Sequence, residues 1–586
     1  MSDQPLSKKI TVRDVLGFFG LILGKERNYY VLALVYGIGI SVLSLALPIS
    51  VQMLVNTVAN TGLPTPLLVL SLTLFFLLVA SGLLNALRIH VMDMFGRRFY
   101  ARMVSEIATR SVFALNPFFQ DYNKGALFNR YFDILIVQKN VPNLLVGGFT
   151  TMLQAGVGFI LVSSYHPWFL AFNLVIILVI WLIWLIWGGR AIMSSVEVSH
   201  KKHAAAAWLE GLGGSNGFFK SERHIDEAMK RTDAVTAEYM EKHVKHFRHH
   251  FSQTLCFLLL YATASATLLG LGGWLVIQGE LTLGQLVAAE LVLSVVFFGI
   301  SQMGIYMAYF YELCAAIEEL SLFYDVEQDD PADVGEELTG NASVEFVKAR
   351  GEARGIIATL DFVVPSGARV HGVAETYGIQ REVTNFLKRH IQPTGGYVAL
   401  GGQDIAYSHA HSLRQQIIVL DRPNAIEMTI REYLQLSGES VSSKRLFSVL
   451  KTVGLGTTIT QLQDGLDTRV SATGWPLTIT ETMQLKLAAA IIAQPRVLVM
   501  GELYDTMTDR HLIESLNLLQ KETVTTVLYF SSRSRDLEFT SLLYLSSDEQ
   551  KYFDTFEELL ATHDEREARL NRRNDQSAFD SSGSGV

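Results

Sequence analysis

The chain has 586 residues, 49% of them hydrophobic and 18% charged, with a mean hydropathy of +0.26. Domains usually hold roughly 100–200 residues and soluble proteins carry roughly 25% charged residues, so this length excludes one small module and this composition excludes a disordered chain and points to a membrane. The net charge of −9 is uneven: residues 1–326 hold 23 Lys and Arg against 21 Asp and Glu, leaving 25 against 36 for the rest, and an acidic C-terminal half argues against nucleic acid as a partner.

The stretch from Ile10 to Leu23 is polar and amphipathic, and the hydrophobic run after it continues past residue 50. That pattern reads as a retained anchor and not as a cleavable signal peptide. A transmembrane helix needs about 20 mostly apolar residues to cross about 30 Å of hydrocarbon. Six stretches qualify, near 30–56, 67–87, 141–163, 168–187, 253–278 and 283–310. The fourth, WFLAFNLVIILVIWLIWLIW, has Asn173 as its only strongly polar residue and tryptophans at both ends, where indoles favour the interface. Cys256 and Cys314 fall in hydrophobic stretches and read as apolar filler, too few for a disulfide framework or a four-ligand zinc site of their own.

The connectors set an orientation. Residues 97–140 hold seven Lys and Arg and 190–250 hold ten, and the N-terminus adds Lys8, Lys9, Arg13, Lys25 and Arg27. The opposite connectors, 60–66 and 163–167, hold no charge. The positive-inside rule then places both termini and both long loops in the cytoplasm. Both loops are helical in pattern, so the spans are expected to run on beyond the bilayer. Seven of the 15 histidines lie between His200 and His250. Spacings such as His243, His246, His249 and His250 can share a helical face and bind metal, but basic, solvated helices account for them more simply and no metal site is assigned.

Residues 327–342, EQDDPADVGEELTGNA, are acidic and aperiodic and read as a linker. Beyond them, strand-like runs at 343–346, 368–373, 417–420, 496–500 and 524–530 alternate with helical runs such as 383–390 and 481–493, the texture of an α/β domain. The end, 563–586, is charged and then rich in Ser and Gly, a short helix passing into disorder. The expected organisation is a six-helix membrane domain (1–326), the linker (327–342), an α/β domain (343–562) and the tail (563–586).

Several segments in the second half carry a family resemblance. PTGGYVALGGQDIAYSHAHSLRQQI (393–417) is followed by TIREY (429–433), Gly465-Leu466-Asp467-Thr468 and FEELL (556–560), and GELTLGQLV (279–287) opens the sixth span. In order and spacing this resembles the half-transporter of the ATP-binding cassette (ABC) exporter family across nearly the whole chain. The resemblance implies a type I exporter-like all-α membrane domain, then a cytoplasmic α/β domain like that of P-loop NTPases, in a dimer whose helices intertwine around a central cavity. The two long loops would carry the coupling contacts.

Set against that family's motifs, this chain departs at each nucleotide contact. A phosphate loop, GxxxxGK[ST], needs glycines so that backbone N–H groups close on phosphate, a lysine to neutralise it and a hydroxyl for magnesium. The matching segment is Gly372-Val-Ala-Glu375-Thr376-Tyr377-Gly378-Ile379-Gln380. Tyr377 replaces a glycine, Gly378 the lysine and Ile379 the hydroxyl residue, while Glu375 adds a carboxylate. Gly501 stands where the magnesium-binding aspartate is expected, with Glu502 following in the place of the catalytic base. Ser532 replaces the switch histidine, and the Q-loop glutamine is replaced by Asp421 or Arg422. The LSGGQ signature reads Leu477-Thr478-Ile479-Thr480-Glu481, and no aromatic residue lies between Phe346 and Phe362 to stack on adenine.

In the family each ATP lies between one subunit's phosphate loop and the other's signature, so this chain would impair both sites of any dimer it joined. Within the membrane domain, Glu290 interrupts span six, where an ionisable group usually faces a cavity or partner. It is the candidate for contact with substrate or a proton, with a packing role as the alternative; Gln154 and Gln302 are lesser candidates, and Tyr306, Tyr309 and Tyr311 suit an interface. The expectation is a multi-pass protein of a bacterial inner membrane with both termini cytoplasmic, a homodimer or a heterodimer with another half-transporter, moving an unread substrate without hydrolysing ATP itself. No cofactor is assigned, and ATP with magnesium enters only if the altered site still binds it. The alternatives are an active exporter with an atypical site and a membrane scaffold or receptor that transports nothing.

Overall fold

The computed structural model describes residues 11–55, 64–115, 124–329, 335–353, 356–438, 441–533, 537–547, 549–559 and 561–562. The expected tail and residues 330–334 of the expected linker lie outside them. The chain divides into two units, Met1–Asp329 and Asp330–Val586.

The amphipathic N-terminal stretch folds as α1 (Val12–Leu23), begun by a capping box: the Thr11 hydroxyl accepts from the Asp14 amide at 3.3 Å, and the Asp14 carboxylate accepts from the Thr11 amide at 2.9 Å. The first expected span is two helices, α2 (Arg27–Leu43) and α3 (Ala46–Met53), with a break at Ser44–Leu45. The break sits where Pro48 dictates, because a proline offers no N–H to the carbonyl four residues back and its ring crowds that carbonyl. The membrane unit continues with α4 (Pro64–Val112), α5 (Asp133–Asn143), α6 (Phe149–Ser163), α7 (Pro167–Gly214), α8 (Glu222–Ile277) and α9 (Leu283–Ser321).

Six helical stretches among the described residues are long and apolar enough to cross a membrane. At 1.5 Å per residue, α7 and α8 reach about 72 and 84 Å, more than twice a bilayer's hydrocarbon core. Between α5 and α6 the chain takes a π-helical turn, Leu144–Gly148, directly after Pro142, whose missing N–H has already interrupted the regular ladder. Tyr306 of α9 packs on that turn, filling the space a side chain at Gly147 or Gly148 would need. Glycines also bring α9 close to its neighbours: a β-carbon at Gly299 would stand 2.2 Å from Thr151 Cγ2, and one at Gly304 2.6 Å from Thr254 Oγ1. Such small-residue contacts hold helices together where lipid removes the hydrophobic drive between them.

The second unit is built on two main sheets. In the first, β1 (Val344–Ala353), β2 (Ile356–Val364), β4 (Gly395–Leu400) and β5 (Gln403–Asp404) pair antiparallel in the order β2-β1-β4-β5, with β3 (Arg369–Ala374) lying outside it. The second has the order β12-β11-β3-β10-β9-β6, using β6 (Ile417–Leu420), β9 (Val497–Met500), β10 (Thr526–Phe530), β11 (Ser541–Leu545) and β12 (Gln550–Phe553). Only β12 runs antiparallel in it. A short ribbon joins β7 (Met428–Thr429) and β8 (Arg469–Val470). Every residue of β9 and β10 is buried, as parallel strands covered on both faces require.

The helices of this unit are α10 (Tyr377–Leu387), α11 (Ala410–Gln416), α12 (Ile430–Gln435), α13 (Ser443–Thr452), α14 (Gly456–Gln461), α15 (Ile479–Ala493) and α16 (Asp509–Glu522). One core lies under β3, β9 and β10 with Phe346, Phe362 and Phe386, and another gathers Leu446, Leu450, Leu487, Ile491, Leu512 and Leu516 from α13, α15 and α16.

Candidate functional site

In an open parallel sheet, ligands bind outside the carboxyl ends of the strands. Leu420, Met500 and Tyr529 are partners across β6, β9 and β10, and Phe530 pairs with Gly372 of β3. The segments following β3, β6, β9 and β10 therefore leave the sheet at one edge. Gly372 is placed in β3 against the Phe530 ring, which a β-carbon there would meet at 3.1 Å. Glu375 and Thr376 alone separate β3 from α10. Thr376 occupies the N-cap of α10 without capping it, and its buried hydroxyl has no hydrogen-bond partner. Tyr377 begins the helix half exposed, while Gly378, Ile379 and Gln380 are buried.

Three segments meet at Gly501. A β-carbon there would lie 3.4 Å from Gln380 Nε2 and 3.4 Å from Asp421 Cα. Glu502 is exposed at the start of a 3₁₀ turn, Glu502–Thr506. Two lysines of the flanking helices are committed to backbone carbonyls. Lys388, at the end of α10, donates to the Arg414 carbonyl at 3.0 Å, and burial, helped by Arg414, pushes its amine down to about 8. Lys486 of α15 donates to the carbonyls of Arg422 and Asn424 at 2.6 and 3.1 Å.

Ser532 enters a network centred on Asp505, a residue the sequence did not single out. The Asp505 carboxylate accepts from the Ser531 hydroxyl at 2.7 Å, from the Ser532 amide and hydroxyl at 3.0 Å each, and from the Tyr529 hydroxyl. Arg533 closes the group, donating to Asp509 and to the carbonyls of Tyr504, Asp505 and Met507. The turn after β9 and the loop after β10 are thus laced together. The one signal in the sequence was an aspartate three residues past Glu502 and an arginine beside Ser532.

The signature segment forms the start of α15. Thr478 is its N-cap and Glu481 completes a capping box, accepting from the Thr478 amide at 2.9 Å and from Thr458 at 2.8 Å. Burial pushes the Glu481 carboxyl upward, but the bonds from Thr478 and Thr458 outweigh it and hold the group below its usual range. Leu477 is buried, Ile479 is 60% exposed, and Thr480 reaches Thr506 of the 3₁₀ turn at 3.1 Å. Glu382 of α10 was also missed by sequence. It is buried, its Oε2 has no hydrogen-bond partner, and burial raises its pKa, with Arg381 opposing.

In the membrane unit, Glu290 has one oxygen 3.4 Å from the Ser294 hydroxyl and a buried Oε2 with no partner. Tyr311, expected at an interface, is instead fully buried and donates to Gln253 at 2.6 Å. His246 pairs with the Ser194 hydroxyl at 2.9 Å, and His250 with the Gly304 carbonyl at 2.8 Å, so these two rings join helices.

Residues 30–208 match the family model of the ABC transporter transmembrane region. A bacterial Atm1-family ABC exporter, solved with ATP bound, superposes with a TM-score of 0.76 and 18% identity, covering 93% of this chain and 98% of its own. The chain has the fold of an ABC exporter half-transporter. Among sequence relatives of this exporter-like chain, the ABC multidrug transporter mdr2 of Aspergillus fumigatus is 23% identical over 539 residues, 85% of this chain and 65% of the relative. The ABC transporter ATP-binding protein YknV of Bacillus subtilis is 24% identical over 527 residues, with 84% of each covered. The alpha-hemolysin translocation protein HlyB of Escherichia coli is 24% identical over 258 residues, 36% of its length. The Phe346 and Phe362 rings stack on each other, centroids 4.5 Å apart, inside the core.

Proposed function

We propose that this chain is a non-catalytic, exporter-type transport subunit. In this reading it works in a dimer, its α/β domain keeps the fold of an ATPase without the residues for hydrolysis, and ATP turnover is left to a partner or absent. The observation that carries the reading is that Gly378 stands in the first turn of α10 and Gly501 directly after β9. A lysine and a magnesium-binding aspartate are expected at these two places. Nucleotide polyphosphate carries several negative charges, and a site without the phosphate-loop lysine and the metal ligand has lost two of the groups that offset them. Lys388 and Lys486 are no substitutes, since each donates to backbone carbonyls.

The reading extends to placement. The chain would sit in a bacterial inner membrane with both termini and the loops 97–140 and 190–250 on the cytoplasmic side, by the positive-inside rule. The boundaries 1–326, 327–342, 343–562 and 563–586 and the site roles of Leu477 to Glu481, Ser532 and Glu290 belong to the same proposal. A second reading, an active exporter with an atypical site, is favoured by the retained Glu502 and by the structural neighbour that was solved with ATP.

Binding of labelled ATP with magnesium to the detergent-solubilised protein, with phosphate release followed alongside and Glu502→Gln as control, separates the two. No binding up to millimolar nucleotide is the expected result. Saturable binding with turnover that Glu502→Gln abolishes would overturn the proposal in favour of the second reading.

A further inference from the structure

Three buried carboxylates meet where α5, α7 and α9 come together, beyond the apolar stretches 168–187 and 283–310. Asp133 opens α5, Glu318 and Glu319 lie near the end of α9, and all three are fully buried. Facing them are Arg130, just before α5, and His200, Lys202 and His203 of α7. Arg130 donates to Glu319 Oε2, and Lys202 Nζ donates to Asp133 Oδ1 at 2.8 Å. His203 Nε2 lies 2.6 Å from Asp133 Oδ2, and His200 Nε2 lies 3.0 Å from Glu318 Oε2.

The second carboxylate oxygen of Glu319 is the open position in the cluster. Oε1 is buried and accepts no hydrogen bond, yet His200 and His203 each bring Nε2 to 3.9 Å from it. That is too long for a hydrogen bond. It suits atoms that share an ion, since two ligands each about 2.1 Å from a tetrahedral zinc ion stand about 3.4 Å apart. Ligand atoms of His200, Glu318 and Glu319 all lie within 4.8 Å of one another, and among the described residues no other set of three such groups does so.

We propose that His200, Glu318 and Glu319 bind one divalent transition-metal ion of the zinc class, with His203 beside the remaining coordination position. An imidazole joined to carboxylates selects zinc-like ions over magnesium and calcium, which take oxygen alone. The ion ties α7 to α9.

The test is Zn²⁺ titration of the full-length protein, purified in detergent without a histidine tag and stripped with EDTA, with bound metal counted after desalting. One Zn²⁺ per chain is expected, with affinity falling at least about tenfold in His200→Ala and in Glu318→Gln and unchanged in His249→Ala, which removes a histidine outside the cluster. His200 lies at the exposed rim, so its replacement leaves the packed groups in place. Gel filtration checks that variant, and His200→Gln decides in its stead if it aggregates. Wild-type protein that binds no stoichiometric Zn²⁺, a His200 variant with undiminished affinity, or an equal loss in His249→Ala would each overturn the assignment.

Discussion

Asp505 accepts hydrogen bonds from side chains and an amide 24 to 27 positions further along the chain. Nothing local in the sequence announces such contacts, because they exist only once β9 and β10 lie side by side. Glu481 is the opposite case: its role as a cap follows from Thr478 three residues earlier, a spacing visible in the sequence. Glu382 yields a pH prediction. Burial raises its folded pKa above the unfolded value, so the native state holds the proton more tightly. That contribution to stability is present at low pH and is lost as pH rises through the folded pKa. Glu382→Gln keeps the shape and cannot ionise. It is expected to raise the midpoint of thermal unfolding at pH 8 by about 2–4 °C, the shift for about 1 kcal/mol in a domain of this size, and to change little at pH 4.5. An equal change at both values, read by scanning fluorimetry of the full chain, would remove the carboxylate's charge as the cause.

Among the elements, the six spans were legible because each is simply an apolar run of sufficient length, and the strands at 417–420 and 496–500 because each is short, apolar and bounded. The helix after β3 begins at Tyr377 and not at 383, since its first residues, Tyr-Gly-Ile-Gln, carry no recognisable start signal. Strand β1 runs on to Ala353 although residues 348–352 are rich in charge and glycine. Pairing with β2 along its length and with β4 as far as Arg350 supplies the hydrogen bonds that their side chains do not advertise. Helix contacts were invisible in the same way, and Gly299 tests one. A β-carbon there would overlap Thr151, and overpacking of this kind costs about 1–3 kcal/mol. Gly299→Val should therefore lower the thermal stability of the solubilised chain, while Gly270→Val, with nothing within 4 Å of the added carbon, should not lower it comparably.

For the molecule as a whole, the charge asymmetry of the connectors makes a topological prediction. In a chain whose cysteines are replaced, an impermeant maleimide added to right-side-out spheroplasts is expected to label Ser164→Cys and to reach Ser215→Cys only after permeabilisation. Both serines are exposed and they lie at opposite ends of α7. The reverse pattern would invert the proposed orientation. The fold class was legible because hydropathy and motif order act over hundreds of residues. The candidate nucleotide edge was legible only as a set of departures from the family's motif spacing, and the partners its residues take up, Asp505 with Ser532 and Gln380 beside Gly501, come from tertiary packing.

The length of α7 and α8 gives these helices a mechanical character. A rod about 72 Å long that tilts by about 5° moves its far tip by about 6 Å, a displacement larger than a helical turn is high. The contacts of Asp133 and Glu318 with His200, Lys202 and His203 grip α7 far from where the rod begins, well out along a lever arm and not near its pivot. A weak local bond at that radius restrains a large excursion, so the energy of a single charged contact is converted into the stiffness of the whole strut.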